Sequence, residues 1–184
     1  MTAPASRESQ PDSELIAAWR RGDEAAAGTL VGRHAAALAA FLRGAGADGD
    51  DVEDLVQETF FRAFRRVETW RGGAAFRTWL LTIGSNVMKD LWRRRKRRPV
   101  IPIDDREFID ASADPEGETR VRDLEARLGR AVADLPRMQR DVFLLRAQQG
   151  AGYEEIARAL GTTTGAARVH YHHAVKRLKR ALEQ

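Results

Sequence analysis

The stretch YEEIARALGTTTGAARVHYHHAVKRLKRAL, residues 153–182, decides the fold of the second half of the chain. Ile156, Ala157 and Leu160 recur at helical spacing and predict one buried helix face, and Gly161 then makes a turn. A longer helix follows, whose predicted inner face consists of Ala167, Tyr171, Ala174 and Leu178. Two helices joined in this way are typical of a helix-turn-helix, whose second helix enters the major groove of DNA.

The outward face of that second helix carries the residues that we expect to contact DNA: Arg168, Val169, His172, His173 and Lys176. Arginine can pair with guanine through two hydrogen bonds or hold a phosphate, and valine offers an apolar contact. Two plainer interpretations stay open, because helical hairpins also occur as packing units and histidines are common on solvated faces. Zinc ligation is not predicted, since no carboxylate or cysteine cluster accompanies the histidines.

Upstream, apolar residues at three-and-four spacing predict six more helices and no strands, so the fold class is all-α. Four of them precede residue 99. The other two are predicted at 121–135, with Leu124, Leu128 and Val132 as its apolar positions, and from Pro136 onward, with Met138, Val142, Leu144 and Leu145. Asp12 or Ser13 caps the first of these helices, and Gly22 ends it. The fourth, FRTWLLTIGSNVMKDLWRRRKRR at residues 76–98, is followed by Pro99, which stops it.

This fourth helix combines an apolar face with aromatic and basic residues. Asn86, Lys89, Asp90 and Trp92 precede the run RRRKRR at 93–98, and such a mixture suits phosphates and unstacked bases. A basic run at a helix end also suits the helix dipole and keeps a surface solvated, so that interpretation remains open. Trp79 is more typical of a core residue than of a base contact.

Residues 100–118 contain Pro102, Pro115 and Gly117 among many acids and show no sustained period, which predicts a linker. We therefore expect two small helical domains joined by a flexible acidic linker. The predicted boundaries are a flexible tail at 1–11, a first domain at 12–98, the linker at 99–119 and a second domain at 120–184. A chain of 184 residues can form two such small cores.

Composition excludes several classes of protein. The chain has no cysteine, which excludes disulfides, thiolate metal sites and zinc fingers. The formal net charge is only +4, with the basic residues concentrated on both sides of the acidic segment. The start lacks the pattern of a signal peptide, and no run of about 18 apolar residues suggests a membrane span. We expect a soluble cytoplasmic protein without membrane insertion.

Enzyme motifs are not found in the sequence: it has no glycine-rich phosphate loop, no HExxH and no nucleophile beside a base. Glu53, Asp54, Gln57 and Glu58 share one surface of the third helix. Carboxylates can perform acid and base chemistry, but no pocket or histidine partner is implied, so a surface for protein contact is the better interpretation. We expect no catalytic residue, cofactor or metal.

Three segments together resemble one family, the extracytoplasmic-function sigma factors of bacterial RNA polymerase. DVEDLVQETFFRAF, residues 51–64, resembles the polymerase-binding helix, and residues 76–99 resemble the promoter-melting helix. The segment from LPRMQRDVFLLRAQQG through residue 182 resembles the second domain of the family. The resemblance covers roughly residues 12–182 in the order of the family.

This resemblance implies a role for each segment. Asp54, Gln57 and Glu58 would face core RNA polymerase. The loop at 68–75, including Trp70, Arg71 and Gly72, would hold the extruded base of the melted promoter. Asn86 and Asp90 would join it there, with Arg93, Arg94 and Arg95 on the backbone. In the second domain Arg168, Val169, His172 and His173 would face the upstream duplex, and Lys176 lies on the same predicted helix face. The protein would bind core polymerase and promoter DNA and help to open it.

The resemblance also implies an anti-sigma protein as a partner, and a linker that runs through the RNA exit path of the polymerase; a solvated spacer is the alternative for that linker. One departure affects DNA specificity. The chain reads GAARVH at 165–170, where the family commonly has a small residue, Thr and Val followed by a basic residue, Ser and Arg; it also has His173 in place of the usual Arg. Base preference in the duplex is therefore the least transferable property.

Two other classes of protein are alternatives to a sigma factor. A stand-alone helix-turn-helix repressor or activator usually binds a palindrome as a dimer, yet this chain lacks an obvious dimer helix. A nucleic-acid enzyme would need metal-binding carboxylates that converge in a pocket.

Overall fold

The computed structural model describes residues 7–97, 124 and 126–183, and every regular element within those ranges is helical. The α-helices are α1 (Asp12–Arg20), α2 (Glu24–Gly44), α3 (Gly49–Arg65), α4 (Phe76–Arg97), α5 (126–133), α6 (Arg137–Ala147), α7 (Tyr153–Leu160) and α8 (Thr164–Leu182). The predicted all-α class is confirmed. The predicted linker at 99–119, Pro99 and Arg98 lie outside the described residues.

The break between α1 and α2 follows from local turn chemistry. Gly22 has a φ of +93°, a conformation that favours glycine, and the Asp23 side chain then accepts hydrogen bonds from the backbone N–H groups of Ala25 and Ala26. Asp23 also pairs with Arg7, whose short 3₁₀ turn lies within the segment expected to be a tail. This ion pair attaches residues 7–9 to the first bundle.

The start of α1 differs from the prediction. Pro11 occupies the N-cap position, and neither Asp12 nor Ser13 caps the helix. The Asp12 carboxylate instead lies 2.6 Å from Arg33 and 2.9 Å from the Nε2 atom of His34, both on α2. Asp12 therefore ties α1 to α2, a contact across 21 and 22 residues of sequence that local spacing does not reveal.

Helix α2 is the centre of the first domain and contacts α1, α3 and α4. By length and composition alone it could cross a membrane, and it is the one helix of the described residues for which this is true. Its side chains explain that apolar character, because Leu30, Leu38, Phe41 and Leu42 are fully buried against the other helices. Burying a leucine contributes about 1.5 to 3 kcal/mol, so these positions account for much of the stability of the bundle.

The second domain consists of α5 to α8, with α8 packed on α6 and α7. Val132, Ala167, Ala174 and Leu178 are buried as predicted. The predicted inner positions Leu124 and Leu128 are wrong, because their side chains are 52% and 38% exposed. Within the described part of α5, Val132 near the C-terminal end is buried, whereas the start of the helix touches α8 through a hydrogen bond from Arg127 to the backbone oxygen of Leu182. The apolar spacing upstream of Val132 therefore does not correspond to a buried face.

The two domains share one hydrophobic cluster and are in direct contact. Helices α6 and α7 pack against α4. On another side, Gly46 approaches α5 so closely that a Cβ at this position would lie 2.8 Å from the Cβ of Ala133. The two domains, which carry the surfaces expected to contact polymerase and DNA, therefore pack directly against each other.

Candidate polymerase and nucleic-acid interfaces

An open groove separates α3 from α4, and the three residues expected to face polymerase lie along it. Asp54 and Gln57 are exposed and Glu58 is half-buried. The groove also has an apolar floor and a basic end, formed by Leu55, Phe61, Val87, Leu91, Arg94 and Arg95. An apolar centre with a charged rim is the composition typical of protein–protein interfaces.

Phe61 is the residue of this groove that sequence reasoning missed. Its ring is 57% exposed, and the guanidinium of Arg65 lies 5.5 Å from the ring centroid. Exposed phenylalanine is costly in water and frequent at the centre of protein contacts. The signal was available in the sequence, since Asp54, Glu58 and Phe61 recur at i, i+4 and i+7 on one helix face.

Arg62 connects the groove to the residues expected to contact the melted strand. It donates to Glu58 at 2.7 Å within α3 and to Asp90 of α4 at 2.6 Å. The hydrogen bonds with Asp90 and Glu58 raise the pKa of Arg62, and the hydrogen bond from Arg62 lowers the pKa of Asp90. Asp90 is therefore a charged, positioned acceptor.

The loop at 68–75 is shaped by its aromatic residue and its glycines. The indole N–H of Trp70 donates to the backbone oxygen of Ala74 at 3.0 Å, and its ring meets that of Phe76 edge-on at 6.0 Å. Trp70 is thus partly buried and holds the loop, while Arg71 and Gly72 are exposed. Gly72 has a φ of +73°, which allows the sharp turn at the tip of the loop.

Asn86 lies on the exposed side of α4 and is already engaged on both ends of its amide. Its Nδ2 donates to the backbone oxygen of Thr82 at 2.9 Å, and its Oδ1 accepts from Arg137 of the second domain at 2.6 Å.

Trp79 packs against Phe76, with 5.5 Å between ring centroids. Trp79 is therefore partly buried against the core, the role that its sequence pattern favours.

The basic end of α4 divides into two kinds of residue. Arg93 and Arg94 are exposed. Arg95 instead pairs with Asp48 and Asp51 at the start of α3, and hydrogen bonding with Asp48 raises the pKa of Arg95. Arg93 and Arg94 are therefore the freer candidates for phosphate contact among the three predicted arginines.

The helix-turn-helix has the predicted geometry. Gly161 adopts a left-handed conformation with φ of +65°, and the Thr163 hydroxyl caps α8 by accepting from the N–H of Ala166 at 3.1 Å. The side chains expected to face the duplex, Arg168, Val169, His172, His173 and Lys176, are all exposed.

Tyr153, the first residue of α7, makes cation–π contacts with two arginines, and the sequence pattern did not single it out. The guanidinium of Arg146 lies 5.0 Å from its ring centroid and that of Arg168 lies 5.7 Å from it. Tyr171 packs edge-on against Tyr153 at 6.0 Å. Such cation–π contacts restrict a long side chain, so Tyr153 orients the arginine of the recognition helix.

No group of three metal-ligating side chains occurs within the described part of the chain. The carboxylates of α3 lie along an open groove rather than around a closed pocket. A groove with an apolar floor and charged rim has the chemistry of a macromolecular contact.

Comparisons with known proteins agree with that chemistry. A family model described as sigma-70 region 2 matches residues 30–98, and one described as sigma-70, region 4 matches residues 125–178. The RNA polymerase sigma factor NccH of Alcaligenes xylosoxydans xylosoxydans is 35% identical over 84% of this chain and 86% of its own length. The ECF RNA polymerase sigma-E factor of Haemophilus influenzae is 31% identical over 85% of this chain and 87% of its own length.

The chain belongs to the extracytoplasmic-function RNA polymerase sigma factors.

Solved structures of sigma factors resemble the fold. The structure of CnrH in complex with the cytosolic domain of CnrY aligns with a TM-score of 0.70 at 30% identity, covering 94% of this chain and 97% of that chain. RpoE of Bartonella quintana, in complex with the anti-sigma factor NepR, aligns with a TM-score of 0.61 at 27% identity, covering 83% of this chain and 94% of that chain. This sigma factor therefore acts in transcription initiation with RNA polymerase, and the alternative of a stand-alone repressor is set aside.

Proposed function

We propose that this sigma factor contacts core RNA polymerase through the groove between α3 and α4, with Asp54, Gln57 and Glu58 on its rim and Phe61 at its centre. The single observation that carries the proposal is the exposed ring of Phe61 beside acidic side chains. A partner surface with an apolar centre and basic rim would complement it.

The melted promoter strand is proposed to bind at the loop 68–75 together with Asn86 and Asp90, and Arg93 and Arg94 are proposed to hold its backbone. We name the loop, Asn86 and Asp90 the strand-facing surface. Its chemistry supports this role, because it offers an amide, a charged acceptor and exposed loop residues to a flipped base. Helix α8 is proposed to read the upstream duplex through Arg168 and its neighbours.

The protein is proposed to work without catalytic chemistry of its own and without a cofactor, in the cytoplasm where the polymerase is found. Because two solved relatives were captured with the cytosolic domain of CnrY and with the anti-sigma factor NepR, we also propose that an anti-sigma protein binds this chain.

The test of the polymerase surface uses co-migration with core polymerase on size exclusion for wild type and Asp54→Lys. Asp54 is exposed, so the substitution should change the free energy of unfolding by about 0.5 kcal/mol or less while weakening the complex severalfold. Glu24→Lys, an equal charge change at an exposed position of α2, is the matched control. Undiminished binding by Asp54→Lys would remove α3 from the interface.

A further inference from the structure

The last residue of α1, Arg20, reaches the beginning of the strand-facing surface. Its guanidinium donates to the backbone oxygen of Val67 at 2.7 Å and to that of Trp70 at 3.4 Å. Its Nε atom also lies 3.3 Å from a carboxylate oxygen of Glu68. One side chain thus contacts both ends of the segment 67–70, across 47 and 50 residues of sequence.

The segment that Arg20 contacts joins α3 to the exposed tip of the loop. Val67 is buried in the core, and its backbone oxygen accepts a second hydrogen bond from the N–H of Trp70 at 3.1 Å. The next three residues, 71–73, are all exposed. Trp70 is therefore the anchor from which the tip extends, and Arg20 bonds to the carbonyl group of that anchor.

Arg20 differs from the polar groups inside the loop, because it belongs to another element. The Thr69 hydroxyl donates to the backbone oxygen of Arg66, and the Trp70 indole donates to that of Ala74, both within four residues of sequence. Such local hydrogen bonds determine the shape of the loop. The bonds from Arg20 connect the loop to α1, so they help to determine where that shape lies on the bundle.

The chemistry of arginine suits this task. A planar guanidinium presents several N–H donors in a fixed geometry, whereas lysine is a point charge on a flexible stem. The ion pair with Glu68 adds little, because the Glu68 side chain is 75% exposed and surface ion pairs contribute little to stability. The hydrogen bonds to the two carbonyl groups are therefore the contacts that hold the loop.

The position of the loop affects base discrimination more than overall affinity. Hydrogen bonds to a base weaken steeply when their geometry is disturbed. Charge attraction to the phosphates is independent of sequence and tolerates such a displacement. A loop that is already held also avoids part of the entropy lost when a flexible segment is ordered on binding.

We propose that Arg20 is a positioning residue for capture of the melted promoter strand. It holds the N-terminal end of the loop 68–75 where the loop can discriminate a flipped base, and it does not contact DNA itself. This inference rests on the proposed strand-binding role of the loop, Asn86 and Asp90.

The experiment uses holoenzyme assembled with each variant. Arg20→Met removes the donors and keeps an unbranched side chain, and Arg20→Lys keeps the charge without the planar donor set. Arg21→Met, the same change at the adjacent exposed residue, is the matched control, and Glu68→Gln removes only the ion pair. Circular dichroism and co-migration with core polymerase verify that each variant folds and assembles.

Fluorescence anisotropy measures binding of labelled single strands that carry the melted element of a promoter identified by sequencing its own transcripts, or single base changes in it. We expect Arg20→Met to reduce the ratio of cognate to altered affinities roughly fivefold or more, and Arg20→Lys to reduce it less. Affinity for the altered strands should stay within about twofold. Arg21→Met and Glu68→Gln should discriminate like wild type. Unchanged discrimination by Arg20→Met, or an equal loss on every strand, would overturn the proposal.

Hydrogen exchange in the free protein tests the positioning step without DNA. Arg20→Met should speed exchange of the backbone amides within 68–75 and leave those of α2 unchanged. Equal exchange in Arg20→Met and wild type would show that Arg20 does not hold the loop.

Asn86→Ala separates this inference from the proposed function. If Asn86→Ala binds all strands with the discrimination of wild type, the proposed strand site is wrong and the inference falls with it. If Asn86→Ala loses discrimination while Arg20→Met keeps it, the strand site stands and positioning by Arg20 is wrong.

Discussion

The two faces of the first domain differ in what covers them. The groove beside α3 exposes an aromatic ring and a row of acids to solvent, whereas the side of α4 around Asn86 is bonded to α6 and its loop to α7. Both faces share the same bundle, so the difference comes from the second domain and not from the fold of the first. A partner can reach the open face directly, whereas a partner of the other face must first replace its hydrogen bonds to α6 and α7.

The largest effect is expected from removing the ring at the centre of the open face. Phe61→Ala should weaken binding to core polymerase by about 2 kcal/mol or more, roughly thirtyfold, because buried aromatic residues dominate interfaces. Its ring is largely exposed in the free protein, so stability should change little. Binding is measured by titration against core polymerase, with Arg66→Ala, exposed just after α3, as control. Equal binding by the two variants would show that the open face is not the polymerase surface.

The exposed face of α8 provides the next comparison, since it is proposed to read duplex rather than melted DNA. Arg168→Ala should cost about 1 to 3 kcal/mol on the cognate upstream element and relax the preference at one base pair. Competition binding by the holoenzyme on promoters with single base changes measures both effects. A uniform loss on all sequences would make Arg168 a phosphate contact.

The buried contact between Ser85 of α4 and Asp141 of α6 predicts that the stability of the protein depends on pH. Burial raises the pKa of Asp141 despite the hydrogen bond from Ser85 and the charges of Arg137 and Arg140. A carboxyl whose pKa is raised on folding stabilises the protein below its unfolded pKa, and the contribution is lost as the pH rises through the folded pKa.

Asp141→Asn should therefore unfold at higher urea concentration than wild type at pH 7.5, because the amide brings no charge into the buried position. The advantage should shrink as the pH falls toward 4. Urea unfolding across this range is the measurement, with Asp134→Asn, an exposed acid, as control. An advantage that is independent of pH would exclude titration of Asp141 as its cause.

The smallest effect is expected at Tyr153, whose ring lies beside the guanidinium of Arg168. We expect it to orient Arg168 without contacting DNA itself. Tyr153→Leu should weaken duplex binding by the holoenzyme about two- to fivefold, since exposed cation–π contacts contribute about 0.5 to 1 kcal/mol. Tyr153→Phe keeps the ring and should bind like wild type. A loss that is equal in Leu and Phe variants would assign the effect to the hydroxyl instead.

Local signals in the sequence predicted much of this fold. Gly22 and Gly161 mark helix ends through their backbone conformation, which depends on neighbouring residues only. The exposed face of α8 was likewise predicted from its period. Leu124 and Leu128 show the limit, because apolar spacing predicts a buried face without showing whether another element covers it.

The contacts that define the two faces could not be predicted in the same way. Glu155 and Thr78 are 77 residues apart, and Arg62 and Asp90 are 28 residues apart. Each pairing depends on how whole helices pack, and the charged residues involved have many equivalent partners in a sequence with 31 basic and 27 acidic residues. The resemblance to a family suggested these surfaces, whereas only the packing showed which of them is bonded to the second domain.

Arg62 couples the two faces, because it is hydrogen-bonded to an acidic residue on each of them. One guanidinium holds Glu58, on the rim of the groove, and Asp90, on the strand-facing surface. If polymerase draws Glu58 away, the electrostatic hold of Arg62 on Asp90 changes, and with it the affinity of Asp90 for a base. Linkage is reciprocal, so a bound base must then alter the affinity for polymerase by the same factor. A single side chain would thus make holoenzyme assembly and strand capture cooperative or antagonistic, with a sign that a double-mutant cycle across Glu58 and Asp90 measures.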